Sequence, residues 1–341
     1  MAKNVDINYI AKLAGVSRST VSRVLTNNKN VKGETEKKVR EAMLLCNYKP
    51  NAMARGLVTG RMNIVALVVA DITTPFYSEL VAIISECLRA KGYLVSLYNF
   101  GNNATLQDDD LRTLFDYGFA GIIIADARND PAFGSILQSA RCPVVLLNRH
   151  IDAVTEYDAI MNDNFLGGHM ATKHLLDLGH RSIATLTGPK KSTSSIDRHK
   201  GYLHALEERG IAPAKNLVAE GDLRYESGYK FADALLAGNK KSCTAVFAGN
   251  DMMAIGVLSR CRELGVNVPK ELSVVGFDDI PMAGAALVAL TTVRQPLRQM
   301  GELVSERIVS RIDGDDSARQ RITLAPSLVV RNTTAAASRK R

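Results

Sequence analysis

Apolar positions divide the chain into two parts with different periodicities. In residues 1–61 they recur every three or four positions, which is typical of short amphipathic helices. From residue 63 onward, continuous apolar runs such as "NIVALVVA", "AGIIIA" and "TAVFAG" alternate with amphipathic stretches. Continuous apolar strands separated by helices predict parallel sheets that are covered on both faces. The pattern therefore predicts an all-α N-terminal domain followed by a larger α/β core.

Three helices are predicted in the N-terminal part. Asp6 is placed to cap the first helix and Gly15 to end it, while Ser17 is a good N-cap for the second. The third helix follows in "KGETEKKVREAMLLCNY". The positions expected to face inward on the second and third helices are Val21, Val24, Leu25, Val39, Met43, Leu44 and Cys46. Two short helices that meet at a glycine turn are typical of a helix-turn-helix.

The charge of the chain is concentrated in this helical part. Residues 1–61 hold 12 Lys and Arg against 4 Asp and Glu, and the resulting net charge of +8 equals that of the whole chain. This asymmetry indicates a polyanionic partner, and nucleic acid fits better than a membrane because the segment has no long apolar face. The alternative is a basic surface that only keeps the protein soluble.

The second predicted helix has the composition expected of a DNA-recognition helix. In "AGVSRSTVSRVL", hydroxyl side chains and two arginines surround a thin apolar stripe. Arg18 lies at the start of the helix, from which recognition helices read base edges, and arginine pairs best with guanine. We expect Ser17, Thr20 and Ser22 to contact phosphates, and Arg23 to contact a phosphate or a base. The alternative is an ordinary surface helix.

The α/β part contains two series of strands and helices. The first runs from "NIVALVVA" to "CPVVLLN" and the second from "DAIMN" to "LSVVGF". Two such series predict two doubly wound lobes, with a ligand crevice at the carboxyl ends of the strands. Polar residues follow these strands, namely Asp71, Asn148, Arg149, Asn250, Asp251, Asp278 and Asp279. Together they suit a polyhydroxylated ligand, although each alone is better explained as a helix cap or turn residue.

The sequence contains none of the common enzyme motifs. It has no phosphate-binding G-x-x-x-x-G-K-[ST], no H-E-x-x-H, no G-x-S-x-G and no dinucleotide fingerprint after the first strand. Its five cysteines are scattered, and its longest clean apolar run is far short of the ~20 residues that span a membrane. We therefore expect a cytoplasmic protein that is not an enzyme, with no catalytic residue, metal site or cofactor and no membrane partner.

Seven motifs, in order along the chain, resemble the lactose/galactose repressor (LacI/GalR) family. They are "AKLAGVSRSTVSRVL", "YKPNAMARGL", "LGHRSIATLTGP", an R-x-x-G-Y motif at Arg198, "GNDMMAIG", "SVVGFDD" and "LTTVRQP". The resemblance covers nearly the whole chain. It implies a transcriptional regulator, expected to be a repressor, that binds a palindromic operator in double-stranded DNA as a homodimer. The core would be similar to periplasmic binding proteins and would be controlled allosterically by a sugar or sugar phosphate.

The resemblance also implies roles for individual residues toward DNA. Arg18 and Ser19 fall where the family varies its base contacts, and Arg23 matches the family's usual recognition-helix arginine. Residues 50–61 match the hinge helix, whose leucine wedges between base steps in the minor groove. The hinge residues expected to contact DNA are Asn51, Ala54 and Leu57.

The resemblance implies an effector site in the core as well. Its expected residues are Phe76, Asn148, Arg198, Leu223, Asn250, Asp278 and Gln295. Asn148 stands where some sugar repressors have an acid, so the identity of the ligand stays open. Two other departures are Tyr9, which replaces an aspartate, and Gly56, which replaces a better helix former beside the hinge leucine.

Two other classes of protein share parts of this pattern. A sugar-binding transport protein would have the two lobes but not the basic helix-turn-helix, and a DNA-modifying enzyme would need a nucleophile or metal cluster. The expected domains are a helix-turn-helix at 1–49, a hinge at 50–61, a two-lobed effector-binding and dimerisation domain at 62–332 and a basic tail at 333–341. The C-terminal sequence has no leucine heptads, so a dimer is expected rather than a tetramer.

Overall fold

The computed structural model consists of two compact units, one helical and one α/β. The residues that it describes are 6–25, 31–48, 62–99, 108–125, 129, 131–149, 151, 156–237 and 243–337. The predicted hinge at 50–61, with Asn51, Ala54 and Leu57, lies outside the described residues.

The helical unit has the predicted helix ends. Its helices are α1 (Ile7–Ala14), α2 (Arg18–Leu25) and α3 (Gly33–Leu45). The Asp6 carboxylate accepts a hydrogen bond from the backbone N–H of Tyr9 at 2.8 Å, and Gly15 ends α1 in the left-handed conformation with φ 68°. Ser17 caps α2 by accepting a hydrogen bond from the Thr20 N–H at 3.1 Å. The cap and turn predictions are therefore confirmed.

The three helices share a small apolar core. Its buried members are Ile10, Ala11, Val21, Val24, Val39 and Ala42, and Leu25, Met43 and Cys46 pack at its edge. The prediction that Leu44 faces inward is wrong, because its side chain is 80% exposed. Leu44 follows Val39 by five positions, which rotates it about 140° around the helix. Ala42, three positions after Val39 and on the same face of the helix, takes the inward position instead.

The α/β unit contains two six-stranded sheets within its described residues. The strands of the first sheet are β1 (Ile64–Val69), β2 (Leu94–Asn99), β3 (Gly121–Ile124), β4 (Val144–Leu147), β5 (Asp158–Asn162) and β11 (Arg321–Leu324). Those of the second are β6 (Ile183–Thr187), β7 (Val218–Glu220), β8 (Ala245–Ala248), β9 (Ser273–Asp278), β10 (Thr291–Arg294) and β12 (Ser327–Val329). Each sheet is the centre of one lobe.

Helices cover both lobes. The helices of the first lobe are α4 (Pro75–Ala90), α5 (Asp108–Asp116), α6 (Pro131–Leu137) and α11 (Leu297–Ile312). Those of the second are α7 (Asn164–Asp177), α8 (Thr193–Glu207), α9 (Tyr225–Leu236) and α10 (Asp251–Glu263). Among the helices of the described residues, none has the length and apolar character needed to cross a bilayer.

The two sheets have equivalent strand orders and differ in the direction of one edge strand. The strand orders are β11-β5-β4-β3-β1-β2 and β12-β10-β9-β8-β6-β7, and every neighbouring pair is parallel except β10 with β12. The order reverses between β1 and β3 and again between β6 and β8, which is the point where doubly wound sheets leave a crevice for ligands. The predicted pair of doubly wound lobes is therefore confirmed.

The chain crosses between the lobes three times within the described residues. The first crossing follows β5, the second lies between β10 and α11, and the third lies between β11 and β12. After "LSVVGF", where the predicted series ends, the chain thus returns to the first lobe with α11 and β11. Helix α11 packs against α4 and against β3, β4 and β5.

The C-terminal segment is bound to the second lobe. Thr333 Oγ1 donates a hydrogen bond to the Val274 carbonyl at 2.7 Å, and the Ala337 N–H donates one to the Leu178 carbonyl at 2.8 Å. The tail that was expected to begin at residue 333 is therefore part of the second lobe as far as Ala337.

Candidate functional site

The α2 helix presents hydroxyl and guanidinium groups on its exposed face. Ser17, Arg18, Ser19 and Arg23 are exposed, whereas Thr20 and Ser22 are half-buried. The opposite face is apolar and lies in the core of the helical unit. The six predicted DNA-contacting residues of this helix therefore share one accessible surface or its border.

The hydroxyl groups at the start of α2 are linked to one another. Ser17 Oγ lies 2.8 Å from Ser19 Oγ and 2.8 Å from Thr20 Oγ1. Ser17 also caps the helix, so these hydroxyls surround the end where backbone N–H groups point outward. This end of a helix favours anions such as phosphate because of its unpaired N–H groups and its dipole. Arg18 lies in the same turn and adds a full positive charge.

In the α/β unit, Arg198 is the centre of a buried polar network. It lies on α8, and its guanidinium donates through Nε to Asn164 Oδ1 at 2.9 Å and through Nη1 to the Gly249 carbonyl at 2.6 Å. The Phe277 ring lies against the guanidinium, with 3.6 Å between Cζ and the ring centroid. Burial lowers the pKa of Arg198, and the nearby Asp278 opposes that shift.

Asp278 supplies the negative charge of the network. Its Oδ1 lies 3.6 Å from Arg198 Nη1 and accepts a hydrogen bond from Gln295 Nε2 at 2.7 Å. Burial raises the pKa of Asp278 to about 6, although Arg198 and Gln295 act in the opposite direction. The backbone of Asp278 is in an unusual conformation with φ 117°, which turns the carboxylate at the end of β9. Three of the predicted effector residues are thus in direct contact.

Asn250 and Leu223 border this network from the same lobe. Asn250 Oδ1 caps α10 by accepting a hydrogen bond from the Met253 N–H at 3.0 Å. Asn250 Nδ2 donates to the Leu223 carbonyl at 2.8 Å, and Leu223 adopts a left-handed φ of 67°. Asn250 therefore positions the loop before α9 and joins it to the end of β8, next to the carbonyl that Arg198 contacts.

Asp251 has a structural role beside the network. Its fully buried carboxylate accepts hydrogen bonds from the Ile280 N–H at 2.9 Å and from Thr292 Oγ1. Burial raises the pKa of Asp251 well above its usual value, and the charge of Asp278 acts in the same direction. These bonds anchor the loop that follows β9. Asp279, the next residue of that loop, pairs with Arg294 and Arg331.

The first lobe contributes the two other predicted effector residues. Phe76 lies at the start of α4 and is packed in the apolar core of that lobe. Asn148 follows β4, is buried and has a left-handed φ of 55°. Asn148 Oδ1 and Gln295 Oε1 have no hydrogen-bond partner in the described part of the chain. Buried polar atoms of this kind are rare unless a ligand or water binds them.

Asn148 also lines a cavity of about 340 Å³ between the two lobes. We call it the side cavity, and its lining includes Asn148, Asn162, Asn164, Phe165, Thr193 and Asp197. Helix α8 begins at Thr193 because Ser192 caps it, and Thr193 lies in the wall of the cavity.

Comparison with known proteins identifies the family. Residues 6–51 match the model of bacterial regulatory proteins of the lacI family, and residues 172–334 match a periplasmic binding protein-like domain. The transcriptional repressor PurR of Erwinia tasmaniensis is 32% identical over 330 residues, which cover 96% of each chain. The chain belongs to the LacI family of bacterial regulatory proteins.

Solved structures of LacI-family proteins have the same fold. A lac repressor dimer bound to operator and the anti-inducer ONPF is 28% identical, with a TM-score of 0.85, and covers 98% of this chain and 100% of its own. The transcriptional regulator CelR in complex with cellobiose is 31% identical, with a TM-score of 0.73, and covers 97% of this chain and 100% of its own. Because PurR and the lac repressor are transcriptional repressors, the enzyme and transport-protein alternatives do not apply.

Sequence analysis missed several residues of this LacI-family site. Asn164, Gly249 and Phe277 all contact the Arg198 guanidinium, yet none was predicted. Each adjoins a predicted strand end or a predicted site residue, since Phe277 precedes Asp278 and Gly249 precedes Asn250. Asn162, a buried residue at the end of β5, was missed as well. Their position next to strand ends is the signal that would have found them.

Proposed function

We propose that this LacI-family repressor binds a palindromic operator as a homodimer and releases or retains it in response to a sugar-like effector. Two features of the chain carry the proposal. One is the exposed face of α2 with its hydroxyl and guanidinium groups, which we call the recognition face, and the other is the buried polar network in the α/β unit. The first suits DNA and the second suits a small ligand rich in hydroxyl groups.

The recognition face supports direct readout of DNA. Arg18, at the start of α2, would reach base edges with Ser19, while Ser17, Thr20, Ser22 and Arg23 would contact the phosphates around them. Residues 50–61 would form a hinge helix on the minor groove, with Asn51, Ala54 and Leu57 as its contacts. With the net charge of residues 1–61, binding should weaken steeply as salt is added.

The buried network supports a sugar-like effector. A carboxylate, a guanidinium and amides that still have unpaired atoms are the groups that recognise sugar hydroxyls, because each hydroxyl both donates and accepts. Arg198, Asp278 and Gln295 would be direct contacts, with Asn148 and Phe76 added from the first lobe and Leu223 and Asn250 at the border. CelR, whose structure contains cellobiose, supports this class of ligand.

The edge of the first sheet supports a homodimer. Strand β2 is an edge strand, and its Leu94 and Leu97 are exposed. An exposed apolar edge strand is a liability unless another surface covers it, and a second copy of the chain would provide one. We assign residues 1–49 to DNA binding and residues 62–332, extended to Ala337, to effector binding and dimerisation.

The proposal is tested with the full-length protein. Operator selected from a random DNA pool should be bound specifically and lost on deletion of residues 1–61, while the remaining protein still unfolds cooperatively and binds the same sugar. A sugar panel in a thermal-shift assay identifies the effector, because a ligand that binds only the folded state raises its melting temperature. Operator binding by the truncated protein, or a sugar that binds without changing operator affinity, would contradict the proposal.

A further inference from the structure

The C-terminal segment, residues 333–337, joins the starts of two strands in the second lobe. The Thr333 carbonyl accepts a hydrogen bond from the Val274 N–H at 2.8 Å, and Thr333 Oγ1 accepts one from the Thr291 N–H at 2.9 Å. Val274 lies near the start of β9, and Thr291 is the first residue of β10. The bonds that hold this segment therefore also hold two central elements of the lobe.

A buried histidine, His180, binds the middle of the segment. Its side chain is almost inaccessible to solvent, and its Nε2 lies 3.0 Å from the Ala335 carbonyl oxygen and 3.0 Å from Ser273 Oγ. Its Nδ1 lies 2.9 Å from Thr244 Oγ1. Because a carbonyl oxygen can only accept, Nε2 carries the hydrogen of the neutral ring and Nδ1 accepts one from the threonine. The neutral imidazole thus has a partner at both nitrogens.

Protonation of His180 would disturb this arrangement. A hydrogen on Nδ1 would point at Thr244 Oγ1, whose own hydrogen would then have to turn to the Ser182 carbonyl at the longer distance of 3.3 Å. The new charge would also be buried among uncharged groups. Burial lowers the pKa of His180 for this reason, although the hydrogen bond with Ala335 acts in the opposite direction.

A second histidine, His174 on α7, binds the same segment. Its Nε2 lies 3.0 Å from Thr334 Oγ1, which in turn lies 3.2 Å from Thr291 Oγ1. The ring is half-buried by the segment and its surroundings. Two imidazoles from one side of the lobe therefore contact consecutive parts of the C-terminal segment.

The charges around the two rings do not reverse the effect of burial. Asp177 is the only charged side chain that acts on either imidazole within the described residues, and its carboxylate is paired with Lys173 and Arg209. Burial lowers the pKa of His174, Asp177 acts in the opposite direction, and His180 adds to the lowering. Both rings are therefore neutral at neutral pH, and both resist the charge that acid would add.

We propose that the C-terminal segment is an acid-sensitive clasp, which stays bound to the second lobe while His174 and His180 are neutral and is released when they are protonated. Release exposes both rings to water, where the charged form is stable. It also frees the starts of β9 and β10 from the bonds of Thr333. The proposal does not depend on the identity of the operator or of the effector.

The direction of the effect follows from proton linkage. In the released segment each histidine would have the ordinary pKa of about 6.5, whereas in the bound segment the pKa of each is lower. The stabilisation of the bound form is therefore fully present above about pH 6.5 and is lost as the pH falls through that value. At pH 5.5, one unit lower, the released fraction should rise by up to about tenfold for each ring.

The first experiment measures amide hydrogen exchange of the full-length protein at pH 7.5 and pH 5.5, with rates corrected for the intrinsic effect of pH. We expect residues 333–337 and the Val274 amide to exchange about tenfold faster at pH 5.5, because these amides are protected only while the segment is bound. Strands β1 and β3 of the first lobe should keep their rates. Equal corrected rates at the two pH values would overturn the proposal. An equal rise in the first lobe would show global unfolding and would overturn it as well.

The second experiment removes the titrating groups. Glutamine can donate a hydrogen bond but gains no charge in acid, so His174→Gln and His180→Gln should each reduce the acid response and the double variant should lose it. Melting temperatures at pH 7.5 identify the variants that are folded. His204→Gln is the matched control, since His204 is an exposed histidine of α8 that does not contact the segment, and it should keep the full response. A folded double variant that kept the tenfold response would contradict the proposal.

The third experiment needs no substitution in the clasp and therefore does not depend on how the variants fold. The chain has six histidines, and NMR of the protein with labelled imidazole rings follows each of them through a pH titration. Two rings should titrate below about pH 6.5, and the signals of the segment should change over the same pH range. The single His→Gln variants assign these two rings. If His174 and His180 both titrated at or above about pH 6.5, protonation would not oppose binding of the segment and the clasp would be refuted.

Discussion

Arg198 and Asp278 form a buried ion pair, although burial disfavours the charged form of each side chain. Burial raises the pKa of Asp278 to about 6 and lowers the pKa of Arg198, because each charge loses its water. Each side chain is supported by the other, Arg198 also by Asn164, Gly249 and the Phe277 ring, and Asp278 by Gln295. The pair is therefore expected to be sensitive to pH.

Asp278→Asn should change how stability depends on pH. Since the pKa of Asp278 is raised in the folded protein, its contribution is fully present below its unfolded pKa, near 4, and is lost as pH rises through about 6. The free energy of unfolding of the wild type, relative to the variant, should fall by up to about 3 kcal/mol between pH 4 and pH 7. Urea unfolding of both proteins across this range measures the difference. A pH profile of Asp278→Asn that runs parallel to that of the wild type would contradict the assigned cause.

Arg18→Ala tests direct readout by one side chain. If Arg18 pairs with a guanine, the variant should lose discrimination at one base pair in each half-site, with a cost of about 1 to 3 kcal/mol there. Affinities for a set of single-base operator variants measure this. Lys12→Ala removes one exposed charge from α1 and should weaken binding to every variant equally. Uniform weakening by Arg18→Ala would make Arg18 a phosphate contact.

At the scale of elements, the close packing of α7 against α8 positions the Arg198 network. A Cβ added at Gly168 would overlap the backbone carbonyl of Arg198, and one added at Gly201 would overlap the Phe165 carbonyl. The two helices therefore approach until their backbones touch. This contact places Asn164 and Phe165 of α7 beside Thr193 and Arg198 of α8.

Gly201→Ala should separate these two helices. Alanine is better than glycine in a helix by about 1 kcal/mol, so propensity alone predicts stabilisation. We expect a loss of about 1 to 3 kcal/mol instead, because the added methyl group has no space and the helices must move. Urea unfolding measures the stability, and calorimetry should show weaker binding of the proposed effector. Lys200→Ala, at the exposed neighbouring position, should change neither quantity, and a stabilised Gly201→Ala variant would refute the packing argument.

A second prediction at this scale concerns the C-terminal segment. Truncation after Ala337 should leave the melting temperature unchanged, whereas truncation after Asn332 should lower it clearly. The shorter protein loses the Thr333 side chain, which joins Val274 and Thr291, and the Ala335 backbone, which bonds Ser273 and His180. Thermal unfolding of the two truncated proteins tests this. Equal melting temperatures of the two truncated proteins would support the predicted end of the two-lobed domain at residue 332.

At the scale of the α/β unit, an ion pair joins the two lobes across the crevice. Asp71 follows β1 in the first lobe and Arg224 precedes α9 in the second, and their side chains are 3.2 Å apart. Asp71 is buried, whereas the Arg224 side chain is 41% exposed, so solvent weakens the pair. The pair favours the arrangement of the lobes seen here without locking it. Such a weak contact would suit the proposed control by a ligand.

Arg224→Ala should therefore favour an open arrangement by a small amount. We expect an increase in the radius of gyration without ligand, measured by small-angle X-ray scattering, and effector binding weakened by less than about 1 kcal/mol. Asp71→Asn should have a similar effect, and the double variant should add little to either change. Fully additive effects would show that the two residues do not act as a pair.

Much of the fold could be predicted from local patterns. The caps of α1 and α2, the apolar strands up to β9 and the doubly wound lobes follow from neighbouring residues, because capping and periodicity act within a few positions. The predicted site residues Arg198, Asp278 and Gln295 do meet. The prediction that Leu44 faces inward was wrong, because the helices that pack against α3 decide which of its faces is buried.

The sequence by itself determined the charged helical unit, the two series of strands and the family, because these depend on composition, local periodicity and motif order. Only the tertiary structure decided that α11 and β11 return to the first lobe and that residues 333–337 belong to the second. It alone brought Asn148, Asn162 and Thr193 to one cavity. These contacts join residues far apart in the chain, and they form because packing and the pairing of buried polar groups act through space.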